Sequence, residues 1–230
     1  MSIAKLLGAI GAGAALVFGG AAAHAAVIVD GTTQGYYNSG LGDLAPALGG
    51  QTDGASGFSL FPAANGGGGD PTVPPIATAP NVSSVANLGI WLTAAPPSGG
   101  TWSAAPMAIP ASWTVNTETA IVYAINAGTG LGNVNVALGV DNGLYIWLDG
   151  VYKFGAMAPG GASLGEYNLN LGTLGAGVHY LQILREDHGG GTGFDILMTA
   201  DRVTTVPEPA ALALLGIGLA GAGLARRRAR

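Results

Sequence analysis

Residues 134–150 read Val134-Asn135-Val136-Ala137-Leu138-Gly139-Val140-Asp141-Asn142-Gly143-Leu144-Tyr145-Ile146-Trp147-Leu148-Asp149-Gly150. Val134, Val136, Leu138 and Val140 alternate with Asn135, Ala137 and Gly139, which is the period-two pattern of a strand with one buried face. Asp141-Asn142-Gly143 is a turn signal. Leu144–Leu148 is a second strand candidate, and Asp149-Gly150 between it and Val151–Phe154 marks a tight hairpin. In this second run Tyr145 and Trp147 share one face, and Leu144, Ile146 and Leu148 share the other.

The same texture extends on both sides. Further strands are expected at Val27–Val29 (an edge strand), Leu88–Thr93, Trp113–Val115, Ala120–Ile125, Glu166–Leu171, His179–Arg185 and Phe194–Thr199. Glycine accounts for 41 of 230 residues and charged residues for only 9%, a balance that favours short strands joined by turns over amphipathic helices. The fold class that follows is all-β, an antiparallel β-sandwich or jelly roll. Residues 40–80 are rich in Gly, Pro and Ala, with Gly66–Gly69 and Pro74-Pro75, and read as long loops with one short strand.

The two ends carry address signals. Lys5, the apolar run Leu6–Ala23 and the small-x-small triplet Ala23-His24-Ala25 form a signal peptide over residues 1–25, expected as a helix cleaved after Ala25. At the other end Val206-Pro207-Glu208-Pro209 precedes an apolar run, 210–225, and then Arg226, Arg227, Arg228 and Arg230. The apolar run, as a helix, spans about 24 Å, close to a hydrocarbon core of about 30 Å, and reads as a transmembrane helix. The arginines form a basic stop that stays cytoplasmic, so the bulk of the chain faces out. Pro207 and Pro209 hold Glu208 extended. The division of the chain is then signal peptide 1–25, Gly/Pro-rich loops with an edge strand 26–86, β-sandwich 87–203 and sorting tail 204–230.

Pro207-Glu208-Pro209, the apolar helix and the basic stop at 226–230 resemble the PEP-CTERM sorting signal of Gram-negative bacteria. The resemblance implies an exosortase as processing partner, after the export translocon and signal peptidase have acted. It implies anchoring in the inner membrane before processing, and a cell-surface or extracellular location afterwards. It also implies a bacterium that makes an exopolysaccharide or biofilm matrix.

Composition excludes several classes of chemistry. With no cysteine, disulfides, thiol catalysis and thiolate metal sites are absent. Removing both ends leaves Lys153, Arg185 and Arg202 as the basic residues of a chain already at a formal net charge of −5, so nucleic acid is not a partner. Ser163 stands in a Gly161-Ala162-Ser163-Leu164-Gly165 pattern, but in an Ala/Gly context without a partnered His, and Gly66–Gly69 is followed by no Lys-Ser/Thr. The chain reads as a non-enzyme with no catalytic residues.

The block 141–199 resembles the fibro-slime and PA14-like modules, which are extracellular β-sandwich domains. The resemblance is carried by Asp141-Asn142-Gly143, by Leu144-Tyr145-Ile146-Trp147-Leu148-Asp149-Gly150, by Tyr180–His188 and by Gly193–Thr199. It departs where Ala158-Pro159-Gly160-Gly161 stands in place of a Gly-Gly-Val-His segment, and where Asn142 follows Asp141 in place of a second aspartate. Two functions come from different classes. The first is a structural component of an exopolysaccharide or biofilm matrix, with no cofactor. The second is a carbohydrate-binding, adhesin-like module in which Tyr145 and Trp147 stack on sugar rings and Asp141 and Asn142 contribute to a calcium site. For the aromatics the alternative is packing between two layers. For Asp141-Asn142-Gly143 and Asp149-Gly150 the alternative is turn formation.

Overall fold

The computed structural model describes residues 25–48, 60–61, 75–94, 96–157, 161–187 and 189–203, together with Gly218 and Arg226. The expected signal helix and nearly all of the expected transmembrane helix fall outside these residues, as do Pro207, Glu208, Pro209, Arg227 and Arg228. Among the described residues no helix is long and apolar enough to cross a membrane.

The chain is mostly β, in two antiparallel sheets. Its strands are β1 (Ala25–Asp30), β2 (Gln34–Gly42), β3 (Met107–Ala108), β4 (Glu118–Gly128), β5 (Leu131–Asp141), β6 (Gly143–Leu148), β7 (Val151–Met157), β8 (Tyr167–Leu174), β9 (Gly177–Glu186) and β10 (Gly193–Arg202). A four-stranded sheet runs β1-β10-β5-β8, and a six-stranded sheet runs β3-β2-β4-β9-β6-β7. The expected hairpin at Asp149-Gly150 is present. Both residues have positive φ, 51° and 75°, as a two-residue turn matching the sheet twist requires. Val27–Val29 is an edge strand, as its position in the sequence implied.

Alternation on each strand fills the space between the sheets. Val134, Val136, Leu138 and Val140 of β5 and Phe194, Ile196, Met198 and Ala200 of β10 meet Ile121, Tyr123 and Ile125 of β4 and Leu144 and Ile146 of β6. The other face of the six-stranded sheet is also covered. Ala120, Val122, Tyr145, Trp147 and Leu184 form a second core beneath Leu41, Leu44, Phe61, Val82, Leu88 and Trp91. The architecture is therefore a sandwich with a third, irregular layer.

Several expectations are corrected. Leu88–Thr93 is not a strand: Ala86–Leu88 is a 3-10 turn, and Ile90 makes only an isolated bridge to Ser98. The reason is that Leu88 and Trp91, three residues apart, both point into the second core. Trp113–Val115 is a loop, in which Trp113 Nε1 donates to the Thr117 carbonyl at 2.7 Å. Gln34–Gly42 forms a long strand that the Gly/Pro-rich texture concealed, followed by a short helix, Ala45–Leu48.

Candidate functional site

Tyr145 and Trp147 do share a face, but that face is the second core, and each is only 2% exposed. The expected exposed aromatic plate is replaced by the packed alternative. Tyr145 stacks on Phe61 at 4.5 Å between ring centroids and donates its hydroxyl to the Leu60 carbonyl at 3.2 Å. Trp147 meets Trp91 edge-on at 5.3 Å and Tyr152 at 5.7 Å. Opposite Tyr145, position 155 must be glycine, since a Cβ there would lie 2.6 Å from the Tyr145 ring. With their faces covered, these rings are not open to a sugar.

Asp141 and Asn142 form the link between β5 and β6 at one end of the sandwich. Asn142 is fully buried; its N–H donates to the Glu186 carbonyl at 3.1 Å, and its own carbonyl accepts from Tyr167 Oη at 3.2 Å. The turn reading accounts for this backbone role. The strand registers bring other carboxylates to the same end: Gly143 pairs with Glu186, and Gly42 with Glu118. Glu118 Oε2 accepts from the Leu44 N–H at 2.6 Å, and burial pushes the Glu118 carboxyl up to about 9. Asp187 Oδ2 accepts from the Asn116 N–H at 2.5 Å, and burial raises that carboxyl to about 6. These acids are engaged in fastening loops to strand ends. Among the described residues no group of three or more His, Cys, Asp or Glu side chains is arranged to hold a metal ion.

Arg185 closes this end of the core. It is fully buried, with its guanidinium 4.2 Å from the Trp113 ring, 4.8 Å from Phe194 and 5.4 Å from Tyr37. Nε donates to Thr119 Oγ1 and Nη1 to the Pro110 carbonyl, each at 2.9 Å. Burial lowers its pKa to about 10, so it remains a cation held by ring faces and neutral acceptors.

A further site lies on the outer face of the four-stranded sheet. Asn135 and Ala137 of β5, Asn168 and Asn170 of β8, and Leu197 and Thr199 of β10 line a depression of about 320 Å³. Register explains the assembly: Asn135 lies opposite Asn170 on one side and Thr199 on the other, and Ala137 lies opposite Asn168 and Leu197. Asn168 and Asn170 are exposed, with Leu169 buried between them. An amide offers both a donor and an acceptor, so the surface can hydrogen-bond neutral hydroxyl-bearing ligands. The sequence signal was the Asn-x-Asn alternation on β8, which becomes a site only when β5 brings Asn135 alongside.

The pattern of the PEP-CTERM protein-sorting motif matches residues 205–229. The tail is a sorting signal. It marks an exported protein with a C-terminal membrane anchor before processing, and implies an exosortase as the processing partner. The match begins immediately after the last described stretch of the domain, which ends at Val203. No curated protein matches the chain. Among solved structures, a PA14 sugar-binding domain from an RTX adhesin is similar over 44% of this chain, at 19% identity and a TM-score of 0.27. The chain spans about half the length of that structure, 52%.

Proposed function

We propose that this is a non-catalytic protein that an exosortase-type system sorts to the cell surface or extracellular matrix, where the β-sandwich has a structural role in an exopolysaccharide or biofilm matrix. The observation that carries the reading is the sorting motif at 205–229, which follows directly on the last strand. The burial of Tyr145 and Trp147 supports a structural role over sugar stacking, because the residues suited to that task build a core. The reading needs no cofactor.

The test is intact mass and membrane fractionation of the protein made in its own cells, with and without Glu208→Ala. Loss of the residues beyond about 205 and release from the inner membrane in the parent, with retention in the variant, is the expected result. A full-length tail in the inner membrane in both would leave an anchor and remove the sorting step.

One observation favours a second reading, carbohydrate binding. The amide-lined depression on β5, β8 and β10 offers hydrogen-bonding groups without charge, which suits a neutral polysaccharide better than an ionic one. Calcium enters this reading as an experimental arm. Retention on matrix polysaccharide is measured with calcium and with chelator, and a calcium-dependent signal lost in Asp141→Ala would assign Asp141 a ligand role.

A further inference from the structure

The tether between domain and membrane is short. Val203 is held by the fold: its N–H donates to the Gly130 carbonyl at 3.1 Å, and its carbonyl accepts from Thr129 Oγ1. The sorting motif begins at 205 and the apolar run at Ala210. From Val203 to Ala210 a fully extended chain covers at most roughly 25 Å. β5 alone, at 11 residues, is about 36 Å long at ~3.3 Å per residue, longer than the tether.

Topology gives the sandwich two unlike ends. Ala25 pairs with Asp201, Leu131 with Arg202 and Leu174, and Gly128 with Gly177, so the chain's last strand and the turns 128–131 and 174–177 share one end. At the opposite end Asp141 pairs with Gly193, Gly143 with Glu186, and Gly42 with Glu118. That far end carries the exposed Glu166 and the half-exposed Asp43 and Asp141, with Glu118, Glu186 and Asp187 buried beneath them. The near end has balanced charge: Asp149 pairs with His179 at 2.7 Å, and Asp201 is followed by Arg202. It also exposes apolar side chains, Val178 at 53%, Val203 at 45% and, slightly higher up, Val151 at 58%. Val115 and Leu164 are exposed at the far end, the latter two residues from the exposed Glu166.

We propose that, while the chain is anchored, the domain stands on its near end. The turns 128–131 and 174–177, with Val178 and Val203, rest at the bilayer surface, and the acid-rich end points away from it. This rests on the reading of the tail as a membrane anchor. Short reach holds the near end close, and exposed valines suit the interface between headgroups and chains. Anionic headgroups repel Asp43, Asp141 and Glu166 within a Debye length of about 8–10 Å, which favours turning that end outward. Before release, the surface presented to the outside is therefore the acid-rich end and the flanking sheet faces.

The chain has no cysteine, so single cysteines can be placed cleanly. Ala176→Cys at the near end and Thr114→Cys at the far end both lie at exposed positions. The anchored chain is reconstituted in liposomes, labelled with an environment-sensitive fluorophore and challenged with headgroup-nitroxide lipids. Several-fold stronger quenching at 176 than at 114 is expected, reduced in Val151→Ser/Val178→Ser. Equal quenching, or stronger quenching at 114, overturns the orientation. A chain that fails to float with the liposomes overturns the anchor reading itself. A near end that is unquenched in pure lipid but shielded from maleimide in cells with the processing enzyme assigns that surface to the enzyme, and removes the lipid contact.

Discussion

The outer faces of the two sheets are built on the same backbone and have opposite fates. On the four-stranded sheet the outward positions are Asn135, Ala137, Asn168, Asn170, Leu197 and Thr199, and the face is open. On the six-stranded sheet they are Ala120, Val122, Tyr145, Trp147 and Leu184, and a third layer covers them. Strand periodicity puts residues on a face, but it does not say what lies above that face. A face of amides is compatible with water, whereas a face of aromatics has to be covered. Here the cover comes from Leu41–Ala45, Leu60–Phe61 and the turns Val82–Ser84 and Ala86–Leu88.

The most disruptive way to break this contrast is to remove the large ring on the covered side. Trp147→Ala leaves a cavity against Trp91 and Tyr152 and is expected to cost about 3–5 kcal/mol, read as a shift of the urea midpoint. Gly155→Ala should also destabilise strongly, because the new Cβ would sit 2.6 Å from both the Tyr145 ring and the Tyr152 hydroxyl. If Trp147→Ala melts like the parent, the third layer is not a cooperative part of the fold and the ring face is accessible after all.

The covered side also has a pH signature. Glu118 lies where β2, β4 and the start of the short helix meet, and burial raises its carboxyl from 4.5 to about 9, with Glu186 and Asp43 adding repulsion. Between those values the folded state keeps a proton that the unfolded state has released. The stabilisation is complete below about pH 4.5 and is lost as pH rises toward 9. Glu118→Gln keeps an acceptor for the Leu44 N–H and cannot ionise. Unfolding free energy of the parent should therefore fall between pH 5 and 9 more steeply than that of Glu118→Gln. Parallel curves would mean that Glu118 is already ionised in the fold. Asp187, raised to about 6, acts with the same sign over a lower window, from about 3.8 to 6.

Legibility in the sequence follows the same division. From Ala120 to Thr199 the strands were readable because branched and aromatic residues alternate with small or polar ones, and Asp-Gly marks the hairpin. β2 was not readable, because Gly35, Asn38, Gly40 and Gly42 dilute its apolar positions. It is a strand through its pairing with β4 and the hydrogen bond from Asn38 Nδ2 to the Asn87 carbonyl at 2.8 Å. The third layer was hidden for a related reason: it is made of turns whose apolar residues follow no strand period. The burial of Tyr145 and Trp147 depends on that layer, so it stood only as an alternative. The sorting tail was fully legible because its signal is local and does not depend on folding.

A smaller effect is expected at the rim where the two hairpins of the near end meet. His179 Nδ1 contacts Asp149 Oδ2 at 2.7 Å, and Nε2 contacts the Gly175 carbonyl at 3.1 Å. Both partners are acceptors, so the doubly protonated ring satisfies both. Its pKa is raised, first by the hydrogen bond to Asp149. The resulting stability is present below about 6.5 and fades as pH rises through the higher folded value. An NMR titration of His179 should show a midpoint above 6.5 that falls in Asp149→Asn. An unchanged midpoint would mean that the carboxylate does not hold the ring.

The smallest stability effect should come from the open face, and that is what makes it informative. Asn135→Ala and Asn170→Ala remove exposed amides whose local hydrogen bonds, from Asn135 Nδ2 to the Asn133 carbonyl at 2.7 Å and from the Gly172 N–H to Asn170 Oδ1 at 2.8 Å, should each contribute no more than about 1 kcal/mol to unfolding free energy. A loss of polysaccharide retention in these variants, with stability unchanged, can only come from the surface itself. The same experiment on Trp147 cannot be read in that way, because unfolding would abolish binding whatever the ring touches. If the double variant Asn135→Ala/Asn170→Ala binds matrix polysaccharide like the parent, the amide face is only solvated and the structural reading stands alone. If retention is lost, the open sheet is a recognition surface, and the covered sheet is the scaffold it is packed on.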